Sequence, residues 1–254
     1  MSAAEGQFVW ADLTTSDAEA AADFYGELLG WELERDVSEM GTYVVGEVGG
    51  RDAAGMMTQA PDSAGMPPMW SVYLGSEDLE KTLQRVEAAG GKTVAPPFEI
   101  PDGRIAVAAD PAGGTFALAQ WPAEGGFEVY GEQGSVCWAE LLTPDVPGAI
   151  DFYTSVFDWE ASTQPSETGT TYTTFSRAGQ QMLGAIPMPE AVPAGAPAFW
   201  QIYFQVPDID AAVELATSRG AKVLVPKMMI GANASFATLE DPQGGGFSLF
   251  EGVM

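Results

Sequence analysis

Two short stretches set a carboxylate two residues after a tryptophan: Trp10-Ala-Asp12 and Trp138-Ala-Glu140. Both lie in alternating runs, so on a strand Trp10, Asp12 and Thr14 share one face, and Trp138, Glu140 and Leu142 share another. A carboxylate among apolar and aromatic neighbours has two chemical uses. Desolvation can raise its pKa and make it a general base, so Asp12 and Glu140 are the candidate catalytic residues. Alternatively, its charge and the adjacent ring can hold a cationic or amine-bearing aromatic group. The structural alternative is a pair of exposed strand acids beside tryptophans that fill core space.

The chain contains no histidine. That removes Ser-His-Asp and Cys-His catalysis and zinc sites built on histidine. Neither GxGxxG nor GxxxxGK[ST] occurs, so nucleotide phosphate loops have no support. Ten basic against 36 acidic residues give a formal charge of −26. Such a surface repels nucleic acid and anionic membranes and attracts cations. A lone cysteine, Cys137, allows no internal disulfide. With no signal-peptide pattern at the N-terminus and no apolar run near the roughly 20 residues needed to cross a bilayer, the expected location is cytoplasmic.

The elements that must position these residues are repeated. The stretch Trp10–Glu32 recurs as Trp138–Glu160, with eleven of 23 aligned positions identical. Two copies of one folding unit follow, each starting strand, turn, amphipathic helix. A capping box from Ser16 to Glu19 starts the first helix, Ala21, Phe24, Tyr25, Leu28 and Leu29 form its apolar stripe, and Gly30 ends it. Asp145 caps the second copy, where Ala149, Phe152, Tyr153, Val156 and Phe157 repeat the stripe. Strands are expected at 43–47, 51–58, 105–108 and 115–120, with a second strand and helix in WSVYLGSEDLEKTLQRVEAAGG. The second half keeps this order, with strands at 172–177, 181–187, 200–206 and 247–251 and a helix at 208–219. Turns fall at Gly49-Gly50, Asp110-Pro-Ala-Gly-Gly and Asp241-Pro-Gln-Gly-Gly. Domains are drawn at 1–124 and 135–254, with a linker at 125–134 inside the Gly- and Glu-rich stretch Trp121–Ser135. The halves are expected to fold as similar, separable units about a pseudo-twofold axis.

DFYGELLGWE and DFYTSVFDWE, SEDLEKTLQRVEAAGGKTV and PDIDAAVELATSRGAKVLV, DPAGGTFALAQ and DPQGGGFSLFE together resemble the vicinal oxygen chelate superfamily of glyoxalase I, bleomycin-resistance proteins and extradiol dioxygenases. The resemblance covers the chain twice. It implies an α+β fold of two tandem glyoxalase-like domains, each of two βαβββ modules whose sheets cup around a cavity. In the family's enzymes a metal sits in that cavity. The matching ligand places here fall on Trp10 and Trp138, on Ser71 and Gln201, on Gln120 and Glu251, and near Met57 and Ile186. That set is short of three protein ligands and an open position, so loss of the metal is expected, with no cofactor. Glu251 and Gln201 leave an oxygen-ligated Mg²⁺ or Ca²⁺ as the alternative.

Each cup is then expected to hold a Trp, a Tyr, a carboxylate and apolar groups, a make-up suited to a small molecule. The ligand-binding candidates are Trp10, Asp12, Ser71, Tyr73 and Gln120 in the first half, with Trp138, Glu140, Gln201, Tyr203 and Glu251 in the second. Phe116 and Leu118, and Phe247 and Leu249, are assigned to the same walls. Met56, Met57, Met66 and Met69, and later Met182 and Met188, would make adaptable rims. The expected function is metal-free binding of an aromatic metabolite or antibiotic, with self-protection or pathway carriage as its purpose. A glyoxalase-type lyase or isomerase, or a cofactor-free enzyme using Asp12 or Glu140, is the first alternative. A structural or interaction protein with filled cups is the second. The expected partner is a small molecule, cationic and aromatic, rather than nucleic acid or membrane; a homodimer is allowed.

Overall fold

The computed structural model describes residues 4–38, 41–60, 65–101, 103–122, 125–165 and 169–253. Residues 1–3 of the N-terminal segment, 61–64 of the Met- and Pro-rich loop and 123–124 at the end of the first expected domain lie outside them.

The first half runs β1 (Phe8–Thr15), α1 (Ala18–Leu29), β2 (Glu32–Ser38), β3 (Gly41–Glu47), β4 (Asp52–Thr58), β5 (Met69–Gly75), α2 (Leu79–Ala88), β6 (Lys92–Ile100), β7 (Gly103–Ala109) and β8 (Thr115–Gln120). The second repeats it as β9 (Val136–Thr143), α3 (Val146–Phe157), β10 (Glu160–Pro165), β11 (Thr171–Arg177), β12 (Gln180–Pro187), β13 (Phe199–Gln205), α4 (Ile209–Ser218), β14 (Lys222–Ile230), β15 (Ala234–Glu240) and β16 (Gly246–Glu251). The two eight-stranded sheets have one topology, β2-β3-β4-β1-β5-β8-β7-β6 and β10-β11-β12-β9-β13-β16-β15-β14. Each half is thus two βαβββ modules, as the repeat implied.

An aspartate starts every helix. The side chains of Asp17, Asp78, Asp145 and Asp208 accept from Ala20, Lys81, Gly148 and Ala211 N–H respectively, satisfying a donor that the helix leaves open. The first cap is therefore Asp17 and not Ser16, the position that aligns with Asp145. Gly30 ends α1 in the left-handed region at φ 74°.

Four strands absent from the sequence expectation, β2, β6, β10 and β14, are the outer strands of the two sheets. Their sequences carry charges or Pro96-Pro97, Pro165 and Pro226, which edge positions tolerate because one side of the strand needs no ladder partner.

Backbone proximity gathers the chain into two compact units. One comprises Met1–Val9, Val72–Gly125 and Ala139–Trp200; the other comprises Trp10–Ser71, Gly126–Trp138 and Gln201–Met254. In the first, Phe152, Tyr153 and Phe157 of α3 pack on Phe116 of β8 at ring distances of 6.2, 5.8 and 6.0 Å. Tyr153 Oη donates to Asp110 Oδ2 at 3.2 Å. In the second, Tyr25 of α1 packs on Trp70, Phe204 and Phe247 at 5.3, 6.0 and 5.2 Å. Its hydroxyl donates to Asp241 Oδ2 at 2.9 Å and accepts from Trp70 Nε1 at 3.1 Å. The stretch read as a linker is built into this second unit: Glu128 and Val129 N–H donate to Asp52 O, and Trp31 Nε1 donates to Gly134 O at 2.6 Å.

Candidate functional site

The sheet faces turned away from the helices carry the candidate residues of the first strands, and the two halves use them differently. In the first half the alternation read from sequence holds on β1. Trp10 Nε1 donates to Asp12 Oδ1 at 2.8 Å, so both side chains lie on one face. Tyr43 of β3 reaches the same carboxylate, its Oη donating to Asp12 Oδ1 at 2.6 Å. The indole N–H is shared with Tyr43 Oη, also at 2.8 Å. Between them lies Gly55 of β4, opposite Asp12 of β1 and Val45 of β3. A Cβ at Gly55 would collide with both Tyr43 Oη and Asp12 Oδ1. Phe127, from the stretch joining the halves, covers Trp10 at 5.4 Å. Trp10 is 5% exposed and Asp12 3%. In this half the carboxylate is thus the acceptor at the centre of a packed aromatic group.

Gly55→Ala is therefore expected to break the Tyr43–Asp12 contact and destabilise the protein by about 1–3 kcal/mol, the usual cost of overpacking a close-packed site. A urea-unfolding midpoint equal to that of the parent protein would show the contact to be dispensable.

In the second half the outer part of the corresponding face forms a hollow. Glu140 is opposite Gly184, Gly184 opposite Thr174, and Thr174 opposite Ser162, so these four form one row across β9, β12, β11 and β10. Gln164 and Tyr172 form the next row, and Ser176 pairs with Gln181 in a third. Ser162, Gln164, Tyr172, Thr174, Ser176 and Gln181 line a hollow of about 420 Å³. That volume lies within the usual range for a small-molecule site. Glu140, at the inner end of the first row, is 6% exposed and lies outside the lining of the hollow.

The structure places the remaining candidates as follows. Ser71 and Tyr73 lie on the face of β5 opposite Trp70, which packs into the helix-side core, and Tyr73 packs on Trp121 at 5.8 Å. Tyr203 clusters with Trp138, Phe236 and Phe250. Gln201 is buried, and with its amide turned to suit its neighbours Oε1 accepts from Ser248 and Phe247 N–H at 3.1 and 3.2 Å. The terminal strands differ from expectation by one residue. Phe116 packs against α3 and Phe247 against Phe24 of α1, so Phe116, Leu118 and Gln120, and Phe247, Leu249 and Glu251, face the helices. Ala117, opposite Tyr73, and Ser248, opposite Tyr203, occupy the other face.

These surroundings test the expected metal places directly. Gln120 Nε2 donates to Glu77 O at 3.1 Å while its Oε1 accepts from Arg104 at 3.3 Å. Glu251 accepts from Ile209 N–H at 3.2 Å and lies 3.8 Å from Lys227 Nζ. Trp10 offers an N–H that is already donated, and no lone pair. No group of three His, Cys, Asp or Glu side chains suited to a metal occurs among the described residues. The residues at these places do not fit a catalytic metal, which needs three donors on one side and a vacant position.

Cys137 is no substitute nucleophile, because burial pushes its thiol up to about 12. Tyr43, Gly55, Phe127 and the residues that line the β10–β12 hollow were not among the site candidates read from the sequence. The signal for Tyr43 was its repetition as Tyr172, at nearly the offset that relates Asp12 to Glu140.

No helix among the described residues is long and apolar enough to cross a membrane. The model of the Glyoxalase/Bleomycin resistance protein/Dioxygenase superfamily matches residues 7–118 and again 135–249. CFP32 of Mycobacterium tuberculosis, provisionally named a glyoxylase, is 32% identical over 95% of this chain and 93% of its own length. The anthracycline biosynthesis protein DnrV of Streptomyces peucetius is 33% identical over 98% of this chain and 94% of its own. Among solved structures, the Mn(II)-bound glyoxalase of Novosphingobium aromaticivorans matches all of this chain and 84% of its own, with a TM-score of 0.67 at 16% identity. The 2,3-dioxygenase LapB of Pseudomonas sp. KL28 matches 99% and 94%, with a TM-score of 0.66 at 15% identity. Likeness at that level of identity concerns the fold.

Proposed function

The chain belongs to the glyoxalase/bleomycin resistance protein/dioxygenase superfamily, and on that premise we propose that it is a metal-independent small-molecule binding protein whose ligand enters the second-half hollow on β10–β12. The observation that carries this reading is the contrast between the halves. Asp12 is enclosed by Trp10 and Tyr43 in the first half, whereas in the second the β10–β12 residues from Ser162 to Gln181 line a 420 Å³ hollow. The committed side chains of Gln120, Gln201 and Glu251 support a metal-free role. The name of DnrV, an anthracycline biosynthesis protein, supports a planar aromatic metabolite as ligand, with pathway carriage or self-protection as the purpose. A cationic group on that ligand would have to extend past the lining residues toward Glu140, and the charge of −26 would hasten its arrival in a salt-dependent way.

Titration calorimetry with a panel of planar quinones, flavonoids and aromatic amines should give saturable, near-stoichiometric binding that EDTA leaves unchanged. After dialysis, elemental analysis should find well below one equivalent of Zn, Ni, Fe or Mn. Glu140→Gln should weaken amine-bearing ligands at least fivefold more than neutral ligands of the same shape. The name of CFP32 favours a second reading, an enzyme of glyoxalase type with Glu140 as general base. Turnover of a hemithioacetal or a catechol, abolished by Glu140→Gln or restored by a stoichiometric metal, would replace the first reading with this one.

A further inference from the structure

The β10–β12 hollow has a composition that its counterpart in the first half lacks. Sheet pairing matches the two faces position by position. In the first half Glu34 pairs with Val45 and Val45 with Gly55; in the second Ser162 pairs with Thr174 and Thr174 with Gly184. Asp36–Tyr43 corresponds to Gln164–Tyr172. Glu47–Asp52 corresponds to Ser176–Gln181. Four acids and a valine in one copy are thus two serines, two glutamines and a threonine in the other, while the tyrosine is kept.

A merely solvated strand surface in a chain of charge −26 would be expected to carry acids, as the first-half face does. The second-half hollow is lined instead by side chains that both donate and accept hydrogen bonds and bear no charge, with Glu160 and Glu140 on the same face but outside its lining. Among the described residues, the side chains of Ser162, Gln164, Thr174, Ser176 and Gln181 make no hydrogen bond to protein. They stand on a grid of roughly 4.8 Å between strands and roughly 6.8 Å along them. One aromatic ring, Tyr172, lies among them.

We infer that this hollow recognises a neutral, polyhydroxylated group, a sugar ring or comparable polyol, carried by the ligand. An apolar group would leave five hydrogen-bonding side chains dry and unpaired, at a cost that disfavours it. A charged group would find no opposite charge among the residues that line the hollow. A pyranose offers hydroxyls at its rim for the serines, threonine and glutamines, and an apolar C–H face for the Tyr172 ring. This inference rests on the reading that the hollow is the ligand site and names the part of the ligand it takes.

The test compares quercetin with quercetin 3-O-glucoside, and methyl β-D-glucoside alone, by titration calorimetry and saturation-transfer NMR. The glucoside should bind at least tenfold more tightly than quercetin, and methyl β-D-glucoside should show saturation transfer at millimolar concentration. Thr174→Val, and separately the pair Ser162→Glu with Gln164→Asp, install the first-half residues at half-buried or exposed positions and should abolish that preference. Circular dichroism melts serve as the check on folding, and Thr163→Ala, on the opposite face of β10, is the control that should leave it intact. Equal affinity for quercetin and its glucoside, or a preference unchanged by both variants, overturns this inference and leaves the binding reading standing. No binding of any probe overturns both.

Discussion

Expressed alone, residues 1–124 should fail to form a folded monomer. The reason lies in which segments share a core. Tyr25 and Phe24 of α1 pack on Phe247, Tyr25 also packs on Phe204, and the Tyr25 hydroxyl ends on Asp241, all beyond residue 200. In the other unit Phe116 of β8 packs on Phe152, Tyr153 and Phe157 of α3. Cutting at the junction of the halves uncovers Phe24, Tyr25 and Phe116 in the first fragment. Each fully buried aromatic contributes about 1.5–3 kcal/mol. Three of them amount to roughly 5–9 kcal/mol, comparable with the roughly 5–15 kcal/mol that holds a whole domain. Fragments 1–124 and 125–254 should each aggregate, or pair with themselves through the repeated Tyr and Asp-Pro positions. Mixed after co-refolding, they should recover the melting curve of the intact chain. A monomeric 1–124 with a cooperative melt would show instead that the halves are the separable units suggested by the sequence repeat.

That contrast marks where the sequence was legible. The repeat, the four helices, the inner strands and the Asp145 cap follow from a 23-residue self-match with eleven identities and from local chemistry, so they were readable without tertiary information. The faces of β1 and β5 were also readable, because Trp10 and Asp12 alternate with Ala11 and Leu13 and Ser71 alternates with Trp70 and Val72. The faces of β8 were not. Its residues 116–119 are buried on both sides, so Phe-Ala-Leu-Ala carries no polar alternation to say which side meets the helices. Gln120 and Glu251 were misassigned for that reason. Residues that pair across distant parts of the chain were the least visible. Tyr25 and Tyr153 read as ordinary members of apolar stripes, and Asp110 and Asp241 as turn residues. The missed clue was that a buried tyrosine needs a partner for its hydroxyl, and that both the tyrosine and the Asp-Pro turn recur.

The two Tyr–Asp pairs give the molecule an alkaline limit. Burial first, and then the neighbouring Asp241 carboxylate, hold the Tyr25 hydroxyl well above the ordinary tyrosine range; burial and Asp110 do the same for Tyr153. A group whose pKa is raised on folding contributes stability that is complete below its unfolded pKa, about 10, and that is lost as pH rises beyond it. In the unfolded chain both phenols ionise freely there, while in the folded chain they remain protonated. Two such groups make unfolding easier by about 2.7 kcal/mol per pH unit above pH 10. Burial also raises Asp110 and Asp241, partly offset by the N–H groups of Gly114 and Gly245 and by the tyrosines. Their raised values act in the same direction at the other end of the scale: the contribution is complete below the unfolded carboxylate pKa and declines as pH rises through the folded one. Urea midpoints measured from pH 8 to 11.5 should therefore fall steeply above pH 10. Tyr25→Phe should lower stability at pH 8 by about 1–3 kcal/mol, because Asp241 loses a donor in a buried place. The same variant should flatten the alkaline slope, and Tyr153→Phe should flatten it by a similar amount, with a residual slope left by the Cys137 thiol and the Tyr130 phenol, which burial also raises. Absorbance at 295 nm should show these two tyrosines ionising only as the protein unfolds. A slope unchanged in both variants, or full tyrosine ionisation in the folded protein at pH 10.5, would mean that the pairs are open to solvent and do not anchor α1 and α3.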